Sequence, residues 1–144
     1  MAASLTSPPI YHQLAVCGTL LLRCEITHFS RFCSFGGLTI KTCTLLHCHC
    51  RDCQQSSGGP FSSFVIVPTE AFKLLQGSLR FHASPSQMGG KTHRGFCPEC
   101  GSPIQAKPDS TPHIVAIRTA SLDDPSWFLP RVDNGFPTMQ RFEI

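Results

Sequence analysis

Apolar positions along this chain fall into short alternating or continuous runs, each closed by a turn former. Gly37-Leu38-Thr39-Ile40-Lys41-Thr42 alternates with period two, setting Leu38 and Ile40 on one face, and predicts a strand. Residues 61–67 combine aromatic and β-branched side chains and stop at Pro68, which predicts a second. Residues 78–82 predict a short third strand, and residues 113–119 (His-Ile-Val-Ala-Ile-Arg-Thr) the clearest one of all. Between them the pattern predicts one helical turn at 69–72, a loop over 84–91 and a turn at Leu122-Asp123-Asp124-Pro125. Residues 54–60 (Gln-Gln-Ser-Ser-Gly-Gly-Pro) read as a polar, glycine-rich turn. No long 3.6-residue period emerges, so the expected fold class is all-β, built of short strands.

The flanks carry less pattern. Pro8-Pro9 breaks any early element, and Leu14-Ala15-Val16 and Leu20-Leu21-Leu22 flank Gly18 without a clear period. The chain therefore divides into an N-terminal extension over 1–30, a domain over 31–130 and a loose tail over 131–144. Its apolar stretch 14–22 is nine residues, too short to span a bilayer, and residues 1–13 carry no Lys or Arg, as a secretory leader would.

Composition narrows the function classes. With 41% hydrophobic and 15% charged residues in 144, the chain reads as one globular domain rather than a disordered one. The net charge is +3 and no two Lys or Arg are adjacent, which argues against a nucleic-acid partner. Nine cysteines, an odd count, argue against complete disulfide pairing and for a reducing, cytoplasmic setting with thiols kept for metal.

Five of those thiols fall into two tight groups, C-x-C-x-x-C at Cys48, Cys50 and Cys53 and C-x-x-C at Cys97 and Cys100. Such spacing suits thiolates converging on a metal. On an extended segment Cys48 and Cys50 share a face and His47 and His49 take the other, so the two thiols can share one ion and the histidines cannot easily join them. Arg51-Asp52 then turns the chain so that Cys53 closes a third corner. Three thiolates on tetrahedral Zn²⁺ leave a fourth position open for chemistry; a fourth ligand such as His93 or Cys43 would make the site structural instead. Cys97-Pro98-Glu99-Cys100-Gly101 reads as a zinc-knuckle turn, with Gly101 permitting φ > 0. A redox role for that pair would need a βαβ setting that a strand-rich chain lacks.

Cys-His-Cys-Arg-Asp-Cys followed by Ser57-Gly58 and Phe61, then Gly95-Phe96-Cys97-Pro98-Glu99-Cys100-Gly101-Ser102-Pro103-Ile104, then Leu122-Asp123-Asp124-Pro125, resembles the glutathione-dependent formaldehyde-activating enzyme family, which also includes centromere protein V. The resemblance implies a β-tent zinc fold of short antiparallel strands with zinc-knuckle turns. It further implies an active-site zinc on Cys48, Cys50 and Cys53, and a structural zinc for which Cys97 and Cys100 supply half the ligands. The family's N-terminal Cys-x-Cys-Gly is absent. Cys33-Ser34-Phe35-Gly36 and Ala15-Val16-Cys17-Gly18 are its nearest counterparts, and Cys33, closer to the active group, is the preferred metal ligand of the two.

The implied reaction is zinc-dependent carbon–sulfur lyase chemistry: a thiol, glutathione, adds to an aldehyde, formaldehyde, to give S-hydroxymethylglutathione. Coordination deprotonates a thiol whose ordinary pKa is about 8.5, which makes the sulfur nucleophilic. Small-molecule thiol and aldehyde are thus the expected partners, with no nucleic acid and no membrane. Gln54, Ser57 and Gly58, just after the three-cysteine group, are the candidate thiol-binding residues. The alternative is a non-catalytic zinc-binding interaction module with a degraded structural site. Asp123 and Asp124 read as a capping turn rather than an acid/base pair.

Overall fold

The longest apolar runs become strands buried on both faces. The computed structural model of the chain describes residues 10–16, 20–26, 44–126, 128–129 and 132–134. Ten strands and one short α-helix lie within them: β1 (Ile10–Val16), β2 (Leu20–Ile26), β3 (Thr44–Cys48), α1 (Arg51–Ser57), β4 (Ser62–Pro68), β5 (Phe72–Gln76), β6 (Arg80–Pro85), β7 (Lys91–Phe96), β8 (Pro103–Pro108), β9 (Ile114–Arg118) and β10 (Val132–Asn134). They form two sheets, a small one ordered β1-β2-β5 and a large one ordered β10-β3-β4-β9-β8-β7-β6. All pairings are antiparallel apart from β10 with β3. The all-β expectation stands.

In β4 the sequence Phe64-Val65-Ile66-Val67 does not alternate because each face meets its own core. Leu45, Val65, Val67, Val115 and Ile117 pack on one face with Ile104, Cys97 and Leu122, and Phe72 of the small sheet packs against them. Leu46, Phe64, Ala106 and Ala116 form the core of the opposite face, with Cys48, Cys53 and Ile66 packed against it. Register fixes this division: Leu46 stands opposite Phe64, Ile66 opposite Ala116 and Ala116 opposite Ala106. Cys48 and Cys53 therefore belong to the second face, and Cys97 to the first.

Several expectations are corrected. Residues 54–60 are not simply a turn, since Arg51–Ser57 is helical. Gly58 ends the helix at φ 73°, with its N–H donating to the Gln54 carbonyl at 2.9 Å, so the glycines mark a C-cap rather than the turn itself. The loop expected over 84–91 is shorter: β6 runs to Pro85 and β7 begins at Lys91, joined by a tight connection in which Gly89 and Gly90 have φ of 89° and 65°. Part of the expected loose tail, Val132–Asn134, adds to the edge of β3. Part of the N-terminal extension is paired strand, with Ile10 opposite Ile26 and Val16 opposite Leu20. The strand expected at 37–42 lies outside the described residues.

Gly95 is required by close approach. A Cβ there would sit 2.9 Å from Gln105 Cγ and 3.0 Å from Phe81 Cε1, so β7 passes between two side chains with room only for hydrogen.

Ile117 is 1% exposed at the centre of the first core, whereas Leu75 on β5 is 53% exposed. Ile117→Ala should cost about 2–5 kcal/mol of folding stability and Leu75→Ala at most about 0.5 kcal/mol, as measured by urea denaturation. Equal effects would refute this assignment of the core.

Candidate metal centre

Cys48 is the last residue of β3, three residues before α1 begins at Arg51. Cys50 is the N-cap residue of that helix, in extended conformation, and its carbonyl accepts the Gln54 N–H at 3.0 Å. Cys53 lies in the first helical turn. Strand end, cap and first turn thus bring the three sulfurs within 4.8 Å of one another, with Cys48 Sγ 3.5 Å from Cys50 Sγ. The Cys53 turn is pinned from below, because its carbonyl accepts the Ser62 hydroxyl of β4 at 2.8 Å and the Ser56 hydroxyl at 3.1 Å. All three thiols are partly exposed, and none of the three is in a disulfide.

The cluster divides its charge unevenly. Hydrogen bonds from the Cys48 and Cys53 thiols hold Cys50 far below the ordinary thiol range, and the amides of Cys53 and Asp52 add to this. Cys48 is pushed up, first by its bond to Cys50. Cys53 is pushed up by its bonds to Cys48 and Cys50, with burial acting in the same sense. One anionic sulfur is held by two thiols. Tetrahedral zinc at about 2.3 Å from each sulfur requires sulfurs about 3.8 Å apart, close to the 3.5 Å between Cys48 and Cys50 and inside the 4.8 Å that bounds the group. The donor set fits zinc.

Among the described residues no fourth side chain joins this group. His93, a candidate fourth ligand, donates from Nε2 to Asp109 Oδ1 at 3.0 Å on the β7–β8 hairpin, and Cys43 lies outside the described residues. His47 is bonded to Ser63 Oγ at 2.9 Å and stacks 4.4 Å from the Phe61 ring, while His49 is buried 5.2 Å from the same ring. Both histidines contact the Phe61 ring, and neither joins the group of three ligating sulfurs.

The candidate thiol-binding residues are engaged with their own loop. Gln54 is buried and donates to the Pro60 carbonyl at 3.1 Å; Ser57 Oγ contacts the Phe61 carbonyl at 3.0 Å and accepts the Gly59 N–H at 3.1 Å. Gly58 is the C-cap already described. Cys97 is fully buried and Cys100 exposed, its thiol donating to Ser102 Oγ at 3.1 Å. The knuckle geometry is present: Gly101 has φ 74° and its N–H reaches the Cys97 carbonyl at 2.9 Å. Among the described residues the pair joins no group of three ligating side chains, and Cys33 and Cys17 lie outside those residues. Asp124 Oδ1 accepts the Ser126 N–H at 3.0 Å, as a capping turn requires.

Sequence reading missed Arg118. It is 6% exposed, its guanidinium lies 4.7 Å over the Phe64 ring, and it donates to Ser56 Oγ at 2.6 Å. The available signal was a charge closing the apolar run Ile-Val-Ala-Ile, on the face that period two assigns to Ala116.

An all-β protein with a tri-thiol centre is the class that fold and site define. The model of the glutathione-dependent formaldehyde-activating enzyme family matches residues 17–136, and the chain belongs to that family. A crystal structure of a Rhodobacter sphaeroides protein, a structural-genomics target, is similar with a TM-score of 0.54 at 15% identity, covering 79% of this chain and 88% of that one. No curated protein matches the chain.

Since Cys48 and Cys53 are held protonated, an incoming ion must displace two protons, and lower proton activity favours binding. Apparent zinc affinity should rise with pH between 6 and 8, by up to about 100-fold per unit, in competition against a chelator calibrated at each pH. A flat profile would contradict two displaced protons.

Proposed function

We propose that the chain is a zinc-dependent carbon–sulfur lyase that forms or cleaves a thiol–aldehyde adduct, with glutathione and formaldehyde as the pair. Three observations support the reading: membership of the family, three partly exposed sulfurs at zinc-compatible spacing, and no fourth ligating side chain beside them among the described residues. The last of these carries it, because a three-ligand set leaves a position for an outside thiol. Bound there, zinc would lower the proton affinity of the incoming thiol and so supply the nucleophilic sulfur.

In the forward direction that sulfur adds to the carbonyl carbon of the aldehyde. The carbonyl π-electrons go to oxygen, which takes up a proton, and no oxidant or reductant is consumed. Cys48, Cys50 and Cys53 would hold the ion. Ser62 and Ser56 fix Cys53 through its carbonyl, and α1 sets the angle between the second and third sulfurs. Gln54, Ser57 and Gly58 form the flank of the loop that would contact the thiol substrate. Cys97, Cys100 and Cys33 are assigned to a structural zinc, for which the knuckle at Gly101 is suited. A cytoplasmic setting accords with reduced thiols at Cys48, Cys50, Cys53 and Cys100. No described helix is long and apolar enough to cross a membrane.

Cys50→Ser separates catalysis from scaffolding. A catalytic centre should lose at least about 100-fold in the rate of S-hydroxymethylglutathione formation while circular dichroism and thermal midpoint stay near wild type. Loss of fold together with metal, with no wild-type activity, would instead identify a non-catalytic zinc module.

A further inference from the structure

Arg118 is a cation with an unusual setting. Its side chain is almost wholly buried at the end of β9, lies over the Phe64 ring and donates to Ser56 Oγ. Ser56 in turn donates to the carbonyl of Cys53, so two hydrogen bonds lead from the guanidinium to a thiol-bearing residue. A guanidinium removed from water needs a counter-charge or its burial costs several kcal/mol. The hydrogen bond it makes goes to a neutral hydroxyl, Ser56 Oγ, which supplies none. Arg94 on β7, half-buried and tied to Ser84, bears on Arg118 as a like charge and makes the burial harder still. The groups placed to act on Arg118 as counter-charges, once a metal ion has displaced their protons, are the sulfurs of Cys53 and Cys48.

The charge count gives this a purpose. Three thiolates on a divalent ion sum to −1, and a centre carrying that charge at the edge of an apolar core would itself be costly. One permanent cation beside two of the three sulfurs brings the sum to zero. An arginine suits the position better than a lysine because its planar fork can stack on Phe64 and bond Ser56 together.

We propose that Arg118 is a positioning residue of the tri-thiol centre, a buried fixed cation that offsets the charge of the metal–thiolate group and braces the Cys53 turn through Ser56. The inference rests on the metal-binding part of the proposed function and is independent of the thiol–aldehyde reaction.

Zinc affinity of the purified full chain, measured by chelator competition on wild type, Arg118→Gln, Arg118→Lys and Ser56→Ala, is the test. Removing the charge in Arg118→Gln should weaken zinc binding by about 10- to 100-fold, and Arg118→Lys should recover most of it. Ser56→Ala keeps the cation but cuts the brace, and should weaken binding by about 2- to 10-fold with the metal-free fold unchanged by circular dichroism. Should Arg118→Gln fail to fold, the lysine and alanine variants decide. Wild-type affinity in Arg118→Gln, a lysine variant weaker than wild type by 10-fold or more, or an unaffected Ser56→Ala would each overturn the proposal. Thiol–aldehyde turnover of wild type is assayed separately. A chain that binds zinc in a charge-dependent manner at residue 118 but has no turnover loses the proposed function and keeps this inference; the opposite pair of results does the reverse.

Discussion

The pairing of β3 with β4 is the constraint from which the thiol centre follows. Opposing Cys48 to Ser62 puts a sulfur and a buried hydroxyl at the same end of two neighbouring strands. That hydroxyl then crosses to the Cys53 carbonyl, so a ladder register becomes the spacing of two sulfurs. A slip of one residue would turn Cys48 to the opposite face and carry Ser62 out of reach. The slip is resisted because β4 is apolar on both sides, and either core would lose its partners.

The same two-sided burial explains the electrostatics. Cys53 and Cys48 pack against the second core, where burial disfavours separate negative charges, and the sulfurs respond by sharing one. Such an arrangement suits a dication, which replaces two protons with a better-placed charge. Arg118 reaches the same region from β9, carried there by the register that sets it opposite Phe64.

Legibility in the sequence followed the physics of each segment. The runs at 61–67 and 113–119 announced β4 and β9 because doubly buried strands are continuously apolar, and period two along His47-Cys48-His49-Cys50 separated thiols from imidazoles. Helix α1 was hidden because Gln-Gln-Ser-Ser-Gly-Gly is made of residues that favour turns, and seven helical residues are too few to generate a period. β5, at Phe72-Lys73-Leu74-Leu75-Gln76, has little buried surface and so no alternation to read. β8 escaped notice between Pro103 and Pro108, and β10 is only three residues long. Arg118 was invisible as a site residue because its meaning lies in what crosses above it, Phe64 and Ser56, which are 54 and 62 positions away in the chain.

The parallel addition of Val132–Asn134 closes one flank of the large sheet. Without it, the strand that ends in Cys48 would present a bare row of amides and carbonyls to any passing chain. With it, the edge on that side is β10, only three residues long, and the other edge is β6, at the far end of the order, where Pro85 interrupts the donor row and Arg80 adds charge. A neighbouring chain approaching that flank would therefore meet a three-residue strand before it reached the ladder that carries Cys48.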